Sequence, residues 1–410
     1  MNIDCVFCKG RLYCGRKYCP IQAKIYYKKG FQQKFSTSKK EFFGEAPNVF
    51  VSRYNYPNIN VGVLSVDKYN KHDEPRYWSD NSVSIDKVIK KRVELVNSYI
   101  KTSASSARKR NKVIESFKEV SLSKKPVDTE LKLSKTPRFN LNFNQTITPF
   151  GPNAQLENVK VVSNPRVPSS VDKLSNDEVS AQEAVNKLSK RFDVYYITKV
   201  FSTGILGRKL NSKFVPTRWS ITAVDDLAGK NMISQILKLK EISEPEVLVG
   251  GDYGNYFIAI FIPGSFKYEL FEIPVLESNF SKERYPLRYT TNYESTFGRK
   301  EYAKETAGGY YAARYSLLQY LTEKKKQASV LLIRFITKDY WAPLGVWVVR
   351  ETVRKILINK PIHFSSLDLA LSFTKKYAMK YFRTNLDGIL KSSKLLKEIK
   401  TQSRLNRFLG

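Results

Sequence analysis

Residues 246–273, EVLVGGDYGNYFIAIFIPGSFKYELFEI, indicate the fold class more clearly than any other stretch of the chain. Gly250, Gly251 and Gly254 divide it once, and Pro263–Gly264 divides it again. Glycine and proline favour turns over strand interiors, and the segments between them are rich in β-branched and aromatic residues. The stretch therefore predicts three short strands joined by hairpins.

The residues that follow alternate in type. Helical spacing of apolar residues predicts helices at 308–324, 346–358 and 366–381. Between the first two helices, SVLLIRFI at 329–336 has the composition of a buried strand. Antiparallel strands with separate helices indicate an α+β fold.

The first half of the chain carries weaker patterns. Short strands are predicted at 49–51 and 61–66, and helix-like spacing of Val, Ile and Leu extends over 83–122. Frequent Pro, Asn and Ser predict loops from 124 to 170. A helix is expected within 175–192, with Ser175 or Asn176 as its N-cap.

The composition restricts the class of partner. With 410 residues, 42% hydrophobic and 13% aromatic, the chain can bury a large core, which excludes disorder throughout. A formal net charge of +32 predicts a polyanionic partner, and its interleaving with Tyr and Phe favours nucleic acid over a membrane surface. A lysine-rich surface of the thermophilic kind is the alternative. Because no signal peptide or membrane span is recognisable, we expect a cytoplasmic, nucleoid-associated protein.

All four cysteines lie near the N-terminus, in the spacing C-x2-C-x5-C-x4-C. Four thiolates in so short a stretch can close a tetrahedral zinc site, and four Cys ligands leave no open position for a substrate. An iron–sulfur cluster is the alternative. The predicted zinc ligands are Cys5, Cys8, Cys14 and Cys19.

Candidate catalytic groups are carboxylates, because the chain has only two histidines. Asp225 and Asp226, with Glu294, are the candidate ligands of Mg²⁺ or Mn²⁺ for phosphodiester cleavage. For the aspartate pair, an acidic N-cap before LAGKNMISQILKL is the structural alternative.

Arginines beside aromatic residues are the candidate nucleic-acid contacts. Arg218 and Trp219 pair a guanidinium with an indole, which suits phosphate contact and base stacking, although a core tryptophan gives the same pattern. Arg314, Arg350 and Arg354 lie on predicted helices, where surface ion pairs are the alternative. The basic segment ARKRNK, at 107–112, is either a phosphate contact or a solvated helix face.

Several of these segments together resemble the Nre family of archaeal DNA repair proteins. The resemblance covers nearly the whole chain, including the N-terminal cysteines. The segments that carry it include VFVSRYNYPNINVGVLS at 49–65, NPRVPSSVDKL at 164–174, STGILG at 202–207, FVPTRWSITAVDD at 214–226, GRKEYAKETAGGYYAARYSLLQYL at 298–321 and PLGVWVVRETVR at 343–354.

The resemblance implies binding to the sliding clamp PCNA through a C-terminal box, Q-x-x-aliphatic-x-x-aromatic-aromatic. The matching residues are Gln402, Leu405, Phe408 and Leu409, so the chain has leucine where the box has its second aromatic. One short turn would bring the three apolar side chains to one side, as a plug for an apolar groove. A terminal helix that docks on its own domain is the alternative.

The resulting hypothesis is a clamp-recruited DNA repair factor that binds damaged or single-stranded DNA. Neither the resemblance nor a motif assigns a reaction, so processing of that DNA by a metal-dependent nuclease is left open. The alternatives are a non-enzymatic DNA-binding adaptor and an RNA-processing nuclease. The predicted domains are a zinc module at 1–21, an α+β nucleic-acid-binding body at 22–285, a helical and strand domain at 286–392, and a basic tether with a flexible clamp-binding tail at 393–410.

Overall fold

The structure is a computed structural model, and it describes Cys19, Gln22 and residues 40–138, 150–275 and 288–409. Side chains are described throughout these ranges except at Ala307 and at 402–409. The described residues form two compact units. The barrel unit contains 19–228 and 342–344, and the sheet unit contains 229–341 and 345–409. The predicted boundary between residues 285 and 286 lies outside the described residues.

Five strands of the barrel unit close into a barrel in the order β1-β2-β3-β5-β4. The first strand pairs antiparallel with the second and with the fourth, so that β1 closes the barrel. The third and fifth strands pair in parallel. The strands are β1 Glu41–Val51, β2 Asn58–Val66, β3 Val96–Ser103, β4 Val127–Leu133 and β5 Asn153–Val161.

Alternating side chains fill the barrel. On β4, every second residue from Val127 to Leu133 is buried, as expected of a strand with one face toward a core. Helix α3, Lys112–Leu122, contributes Ile114, Phe117 and Val120 to the same core. Burial of this apolar surface provides the main stabilisation of the barrel.

The barrel differs from the expectations for residues 83–170. The predicted helical stretch 83–122 contains strand β3, and the predicted loop region 124–170 contains β4 and β5. In each case pairing with a strand distant in the sequence determines the conformation.

The barrel unit contains further helices. They are α1 Pro75–Asp80, α2 Ile85–Glu94, α4 Ser169–Asn176, α5 Ala181–Leu188, α6 Val194–Ser202 and the first part of α7 Thr217–Ile236, with short 3₁₀ helices at Ala104–Arg108 and Lys209–Asn211. The N-cap of α5 is Ser180, whose hydroxyl accepts from Glu183 N, and not Ser175 or Asn176. No helix in the described part of the chain is long and apolar enough to cross a membrane.

A buried lysine fixes α6 to the barrel. Lys199 Nζ donates hydrogen bonds to the carbonyl oxygens of Pro47, at 3.2 Å, and Ser123, at 2.6 Å. Burial lowers the pKa of Lys199 to about 8, because the charged form loses its hydration. The hydrogen bonds to the two carbonyl oxygens replace part of the lost hydration of the ammonium group.

The sheet unit contains a six-stranded sheet in the order β11-β6-β7-β10-β8-β9. The three strands predicted for residues 246–273 are present, and β6 and β7 form a hairpin. The second hairpin was wrongly predicted, because β10 lies between β7 and β8 and pairs in parallel with β8. The strands are β6 Glu246–Asp252, β7 Asn255–Ile262, β8 Tyr268–Pro274, β9 Thr290–Glu294, β10 Ser329–Ile336 and β11 Ile362–His363.

Helices cover both faces of this sheet. Helices α8 and α9 contribute to one apolar cluster with the sheet, and α10, α11 and α12 contribute to the other. The sequence predicted α8, β10, α9 and α10 close to their observed positions. These helices are α8 Ala307–Lys324, α9 Trp347–Ile356, α10 Leu367–Phe382, α11 Asp387–Ser392 and α12 Lys394–Leu409. The α+β class is confirmed, with a parallel strand pair in each unit.

The start of α12 is anchored in the sheet unit. The Ser393 hydroxyl donates to Glu269 Oε2 at 2.5 Å, and the backbone amides of Lys394 and Leu395 donate to the same carboxylate. Burial raises the pKa of Glu269, while these hydrogen bonds oppose the rise. Leu395 and Leu396 are buried, so the beginning of the predicted tether is a packed helix start.

Candidate nucleic-acid interface

The predicted pair Arg218 and Trp219 stands on the surface of the barrel unit. Both side chains are exposed, with Trp219 at 44%. They belong to the first turn of α7, after Pro216, whose carbonyl accepts from Trp219 N at 2.8 Å. Val51 N, at the end of β1, donates to Thr217 Oγ1 at 2.9 Å and fixes the helix start to the barrel. A cation and an indole are thus held together at the surface.

The β1–β2 loop, residues 52–57, lies beside this helix start. The Tyr56 ring centre is 5.0 Å from that of Trp219, and the two planes are tilted by 57°. Tyr54 is 63% exposed, and the guanidinium of Arg53 lies 5.5 Å from its ring centre. Sequence reasoning did not identify Tyr54 and Tyr56 as site residues. The signal was present in RYNY, where aromatics alternate within a turn-forming segment.

The basic segment 107–112 lies at the same end of the barrel. Ala104 N, in the 3₁₀ helix, donates to the carbonyl of Pro57 in the β1–β2 loop at 2.8 Å. Arg108 Nη1 donates to the carbonyl of Leu210 at 2.8 Å, and Arg108, Lys109 and Arg110 are exposed. The segment forms a turn between a 3₁₀ helix and α3, not the face of a long helix. The 3₁₀ helix that leads into this basic segment is thus hydrogen-bonded to the β1–β2 loop.

Asp225 and Asp226 lie in the middle of α7. The N-cap interpretation of this pair is wrong, because the helix begins at Thr217. Asp225 is buried and Asp226 is half-buried, both in the barrel unit, whereas Glu294 belongs to the sheet unit.

Glu294 and Arg314 form a buried ion pair inside the sheet unit. Arg314 Nη1 lies 2.7 Å from Glu294 Oε2, and both side chains are at most 2% exposed. The guanidinium carbon is 5.8 Å from the ring centre of Tyr310 and 5.2 Å from that of Tyr311. Burial raises the pKa of Tyr310 well above its ordinary value, and the Glu294 carboxylate raises it further. The structure thus joins a candidate catalytic acid to a candidate DNA contact within the core.

Arg350 and Arg354 lie on α9 of the sheet unit. Arg350 is 2% exposed, and its carbonyl accepts from the Ser316 hydroxyl at 3.0 Å. Arg354 is half-buried, with its Nε 2.6 Å from Glu351 Oε2. The five predicted contact residues therefore differ in exposure, since only Arg218 and Trp219 are exposed at the surface.

Comparison with known proteins identifies the family. The family model described as "Archaeal Nre, N-terminal" matches residues 13–281, and the one described as "Archaeal Nre, C-terminal" matches 294–408. This chain belongs to the archaeal Nre family. The resemblance seen in the sequence segments is confirmed.

Three curated Nre proteins are similar over most of their length. The chain is 36% identical to "DNA repair protein NreA" of Archaeoglobus fulgidus, over 91% of this chain and 93% of the relative. It is 33% identical to "DNA repair protein NreB" of the same organism, over 92% and 93%. It is 35% identical to "DNA repair protein NreA" of Haloferax volcanii, over 79% and 80%. No solved structure matches the chain.

The two remaining predicted sites of this Nre chain fall largely outside the described residues. Of the cysteine cluster only Cys19 is described, and it is half-buried. In the described ranges, no three His, Cys, Asp or Glu side chains are grouped to hold a metal ion. The backbone of α12 is helical to Leu409, but the side chains of the clamp box, from Gln402 onward, lie outside the description. The zinc module and the clamp box stay predictions.

Proposed function

We propose that this Nre protein is a DNA repair factor that binds DNA through the barrel unit and is recruited by the sliding clamp. The observation that carries DNA binding is the exposed Arg218–Trp219 pair at the start of α7, in contact with exposed Tyr56. The role in repair is supported by relatives named DNA repair proteins over most of the chain. Recruitment is supported by the box at 402–409, which fits a groove-binding plug.

The positive charge of the chain makes electrostatic attraction and counterion release the main contributions to DNA binding. A formal net charge of +32 attracts a polyanion, and each phosphate neutralised by Lys or Arg releases condensed counterions. The phosphate contacts provide most of the affinity, while stacking on aromatic side chains selects unpaired bases.

Binding of DNA is expected to weaken steeply with salt. If about 6–10 phosphates are contacted, the affinity for a labelled oligo-dT falls about 300–16,000-fold between about 50 and 200 mM NaCl, because each contacted phosphate of a single strand contributes about −0.7 to the slope of log affinity against log salt. Fluorescence anisotropy titrations measure this dependence, and urea unfolding at both salt concentrations controls for stability. An affinity that is flat over this range, or absence of DNA binding at low salt, contradicts the proposed function.

The cysteine cluster is expected to hold one zinc ion per chain. Elemental analysis of protein purified without added metal tests this expectation, and Cys8→Ser should release the ion because a four-thiolate site loses a ligand. Since the cluster is short, we expect little change in the thermal unfolding of the two units. A brown protein with iron, or a metal-free protein, would refute the zinc assignment.

A nuclease activity through Asp225, Asp226 or Glu294 stays a prediction. Incubation with labelled single-stranded, duplex and nicked DNA, with and without Mg²⁺ or Mn²⁺, separates a nuclease from an adaptor. Metal-dependent products that disappear in Asp226→Asn identify an enzyme, whereas tight binding without products identifies an adaptor. The same assay with RNA tests the RNA-processing alternative.

A further inference from the structure

The barrel has the strand order of the OB fold. Its five strands close as β1-β2-β3-β5-β4, with an antiparallel β1–β4 pair and a parallel β3–β5 pair. Helix α3 lies between β3 and β4 in the chain and packs on the barrel core, as the helix of that fold does. OB domains bind oligonucleotides on the face of strands 2 and 3 and with the loops that follow strands 1 and 4.

Two of the aromatic residues described above, Tyr54 and Tyr56, lie in the loop that follows strand 1. The β1–β2 loop carries Arg53, Tyr54 and Tyr56, and α7 adds Arg218 and Trp219 beside it. We call these five residues the aromatic rim. Three of its members are large exposed rings, with 63%, 42% and 44% of Tyr54, Tyr56 and Trp219 accessible to solvent. Exposed rings beside guanidinium groups are the usual elements of a base-stacking surface.

Polar and basic residues continue the surface along strands 2 and 3. Asn60 of β2 pairs with Lys101 of β3, and Asn58 pairs with Ser103. Buried Ile59 and Val61 alternate with Asn58 and Asn60, so these asparagines belong to the outer face. Lys101 is exposed on the same face. A single strand that leaves the aromatic rim therefore meets amides and an ammonium group suited to its backbone.

The sequence segments that supply the rim and its neighbouring strands carry charge of one sign. The segments 50–66, 96–112 and 203–224, which supply the loop, the two strands, the basic turn and the start of α7, contain lysines and arginines but no aspartate or glutamate. An anionic ligand is favoured on such a surface. A protein partner would need an acidic surface to bind there.

Local hydrogen bonds hold the rim in place before a ligand binds. Tyr54 N donates to Ser52 Oγ at 3.2 Å, and Ser52 N donates to the carbonyl of Asn60 at 2.8 Å. Asn55 has φ of 61°, a left-handed conformation that asparagine tolerates better than most residues, and it separates the two tyrosines. A preformed loop loses less conformational entropy on binding.

We propose that the aromatic rim is a base-stacking site for single-stranded DNA. Two or three consecutive unpaired bases stack on Tyr54, Tyr56 and Trp219, while Arg53 and Arg218 contact the flanking phosphates. The strand then continues over Asn60 and Lys101 on the outer face of β2 and β3. Because bases in a duplex already stack on each other, the rim selects unpaired DNA. This assignment rests on the proposed function of DNA binding and specifies its site.

Trp219 provides a direct readout in the full-length protein. Of the four tryptophans, Trp78, Trp341 and Trp347 are at most 4% exposed, so Trp219 is the one that a bound base can reach. Oligo-dT is expected to quench the intrinsic emission, and the quench should disappear in Trp219→Phe. Binding of oligo-dT, seen by anisotropy, without any quench would overturn the proposal. The quench is measured on the wild-type protein, and the Trp219→Phe variant keeps an aromatic ring beside Tyr56.

Affinity measurements on variants complete the test. Tyr54→Ala and Tyr56→Ala should each weaken oligo-dT binding about 5–150-fold. Duplex DNA of matched length should bind within about twofold of wild type, since stacking on a ring is not available to paired bases. Tyr381→Ala is the matched control, because Tyr381 is 56% exposed in the sheet unit and lies 5.2 Å from Lys380 Nζ. It should change neither affinity.

The possible outcomes separate this proposal from the proposed function. If the tyrosine variants bind oligo-dT as wild type does, or lose single-stranded and duplex binding equally, the rim is not a stacking site, although DNA binding stands. Tighter binding of oligo-rU than of oligo-dT would assign the rim to RNA and overturn the proposal. If the wild-type protein binds no DNA at all, the proposed function is wrong, and the stacking site is wrong with it.

Discussion

Arg314→Met is expected to lower the free energy of unfolding by about 3–5 kcal/mol, because the substitution leaves Glu294 charged, buried and without its cation. The Arg314 guanidinium lies 2.7 Å from the Glu294 carboxylate in a part of the sheet unit where both side chains are at most 2% exposed. Urea unfolding followed by circular dichroism measures the change. A loss of this size in the core identifies Arg314 as a structural residue.

A matched control distinguishes the loss of a buried ion pair from the loss of an exposed one. Lys132→Met removes a cation from the Lys132–Glu157 pair, whose atoms are 3.2 Å apart and whose side chains are 58% and 53% exposed. Exposed pairs contribute only about 0–1 kcal/mol, so this variant should unfold nearly as wild type does. The double variant Arg314→Met with Glu294→Gln should recover part of the loss, because no buried charge remains. An Arg314→Met protein of unchanged stability that no longer binds DNA would contradict the structural assignment.

The position of Arg314 could have been inferred from its neighbours in the sequence. Ala312, Ala313, Leu317 and Leu318 surround it on α8, and all are buried. A helix that is apolar on all sides lies inside a protein, so an arginine within it needs a buried partner. The sequence analysis instead placed Arg314 on the surface of a predicted helix, either as a nucleic-acid contact or in a surface ion pair. The partner, Glu294, is on a different element, and only the fold brings it close.

The sheet unit was predicted better than the barrel, for a physical reason. Helices α8 and α10 are long, and β10 contains four consecutive apolar residues at 330–333, so local patterns determine the type of these elements. The barrel strands are defined by pairing across long sequence separations, as between β1 and β4. The alternation in VDTELKL, residues 127–133, was the local signal for β4. Nearby prolines, asparagines and serines favoured the loop interpretation.

The candidate nucleic-acid interface shows the same limit. Arg218 and Trp219 were predicted as contacts from residue type alone, because a guanidinium beside an indole suits stacking and phosphate contact. Tyr54 and Tyr56 were missed, since nothing local indicates that residues 52–57 lie beside the start of α7. The contact of Tyr56 with Trp219 connects residues that are far apart in the chain. A site assembled from two such segments requires the closed barrel.

The clamp box is expected to carry the binding of this protein to the sliding clamp. Phe408→Ala should weaken binding about 30–1,000-fold, which corresponds to the loss of about 2–4 kcal/mol for a central aromatic anchor. Leu405→Ala should follow, and Gln402→Ala should cost less, because it removes a polar contact at the edge of the groove. Calorimetry of the full-length variants against the clamp measures these differences. Phe297→Ala is the matched control, since Phe297 is 99% exposed and lies far from the box in the sequence.

Deletion of residues 402–410 should abolish clamp binding and leave folding and DNA affinity nearly unchanged. The described anchor of α12 lies before the deletion, at Ser393, Leu395 and Leu396, where Glu269 accepts hydrogen bonds and the two leucines are buried. A peptide of residues 397–410 should bind the clamp alone, because three apolar anchors on one turn provide most of the energy. If the peptide fails while the full-length protein binds, the recognition surface lies elsewhere. If the deletion unfolds the sheet unit, the last turns of α12 belong to its core.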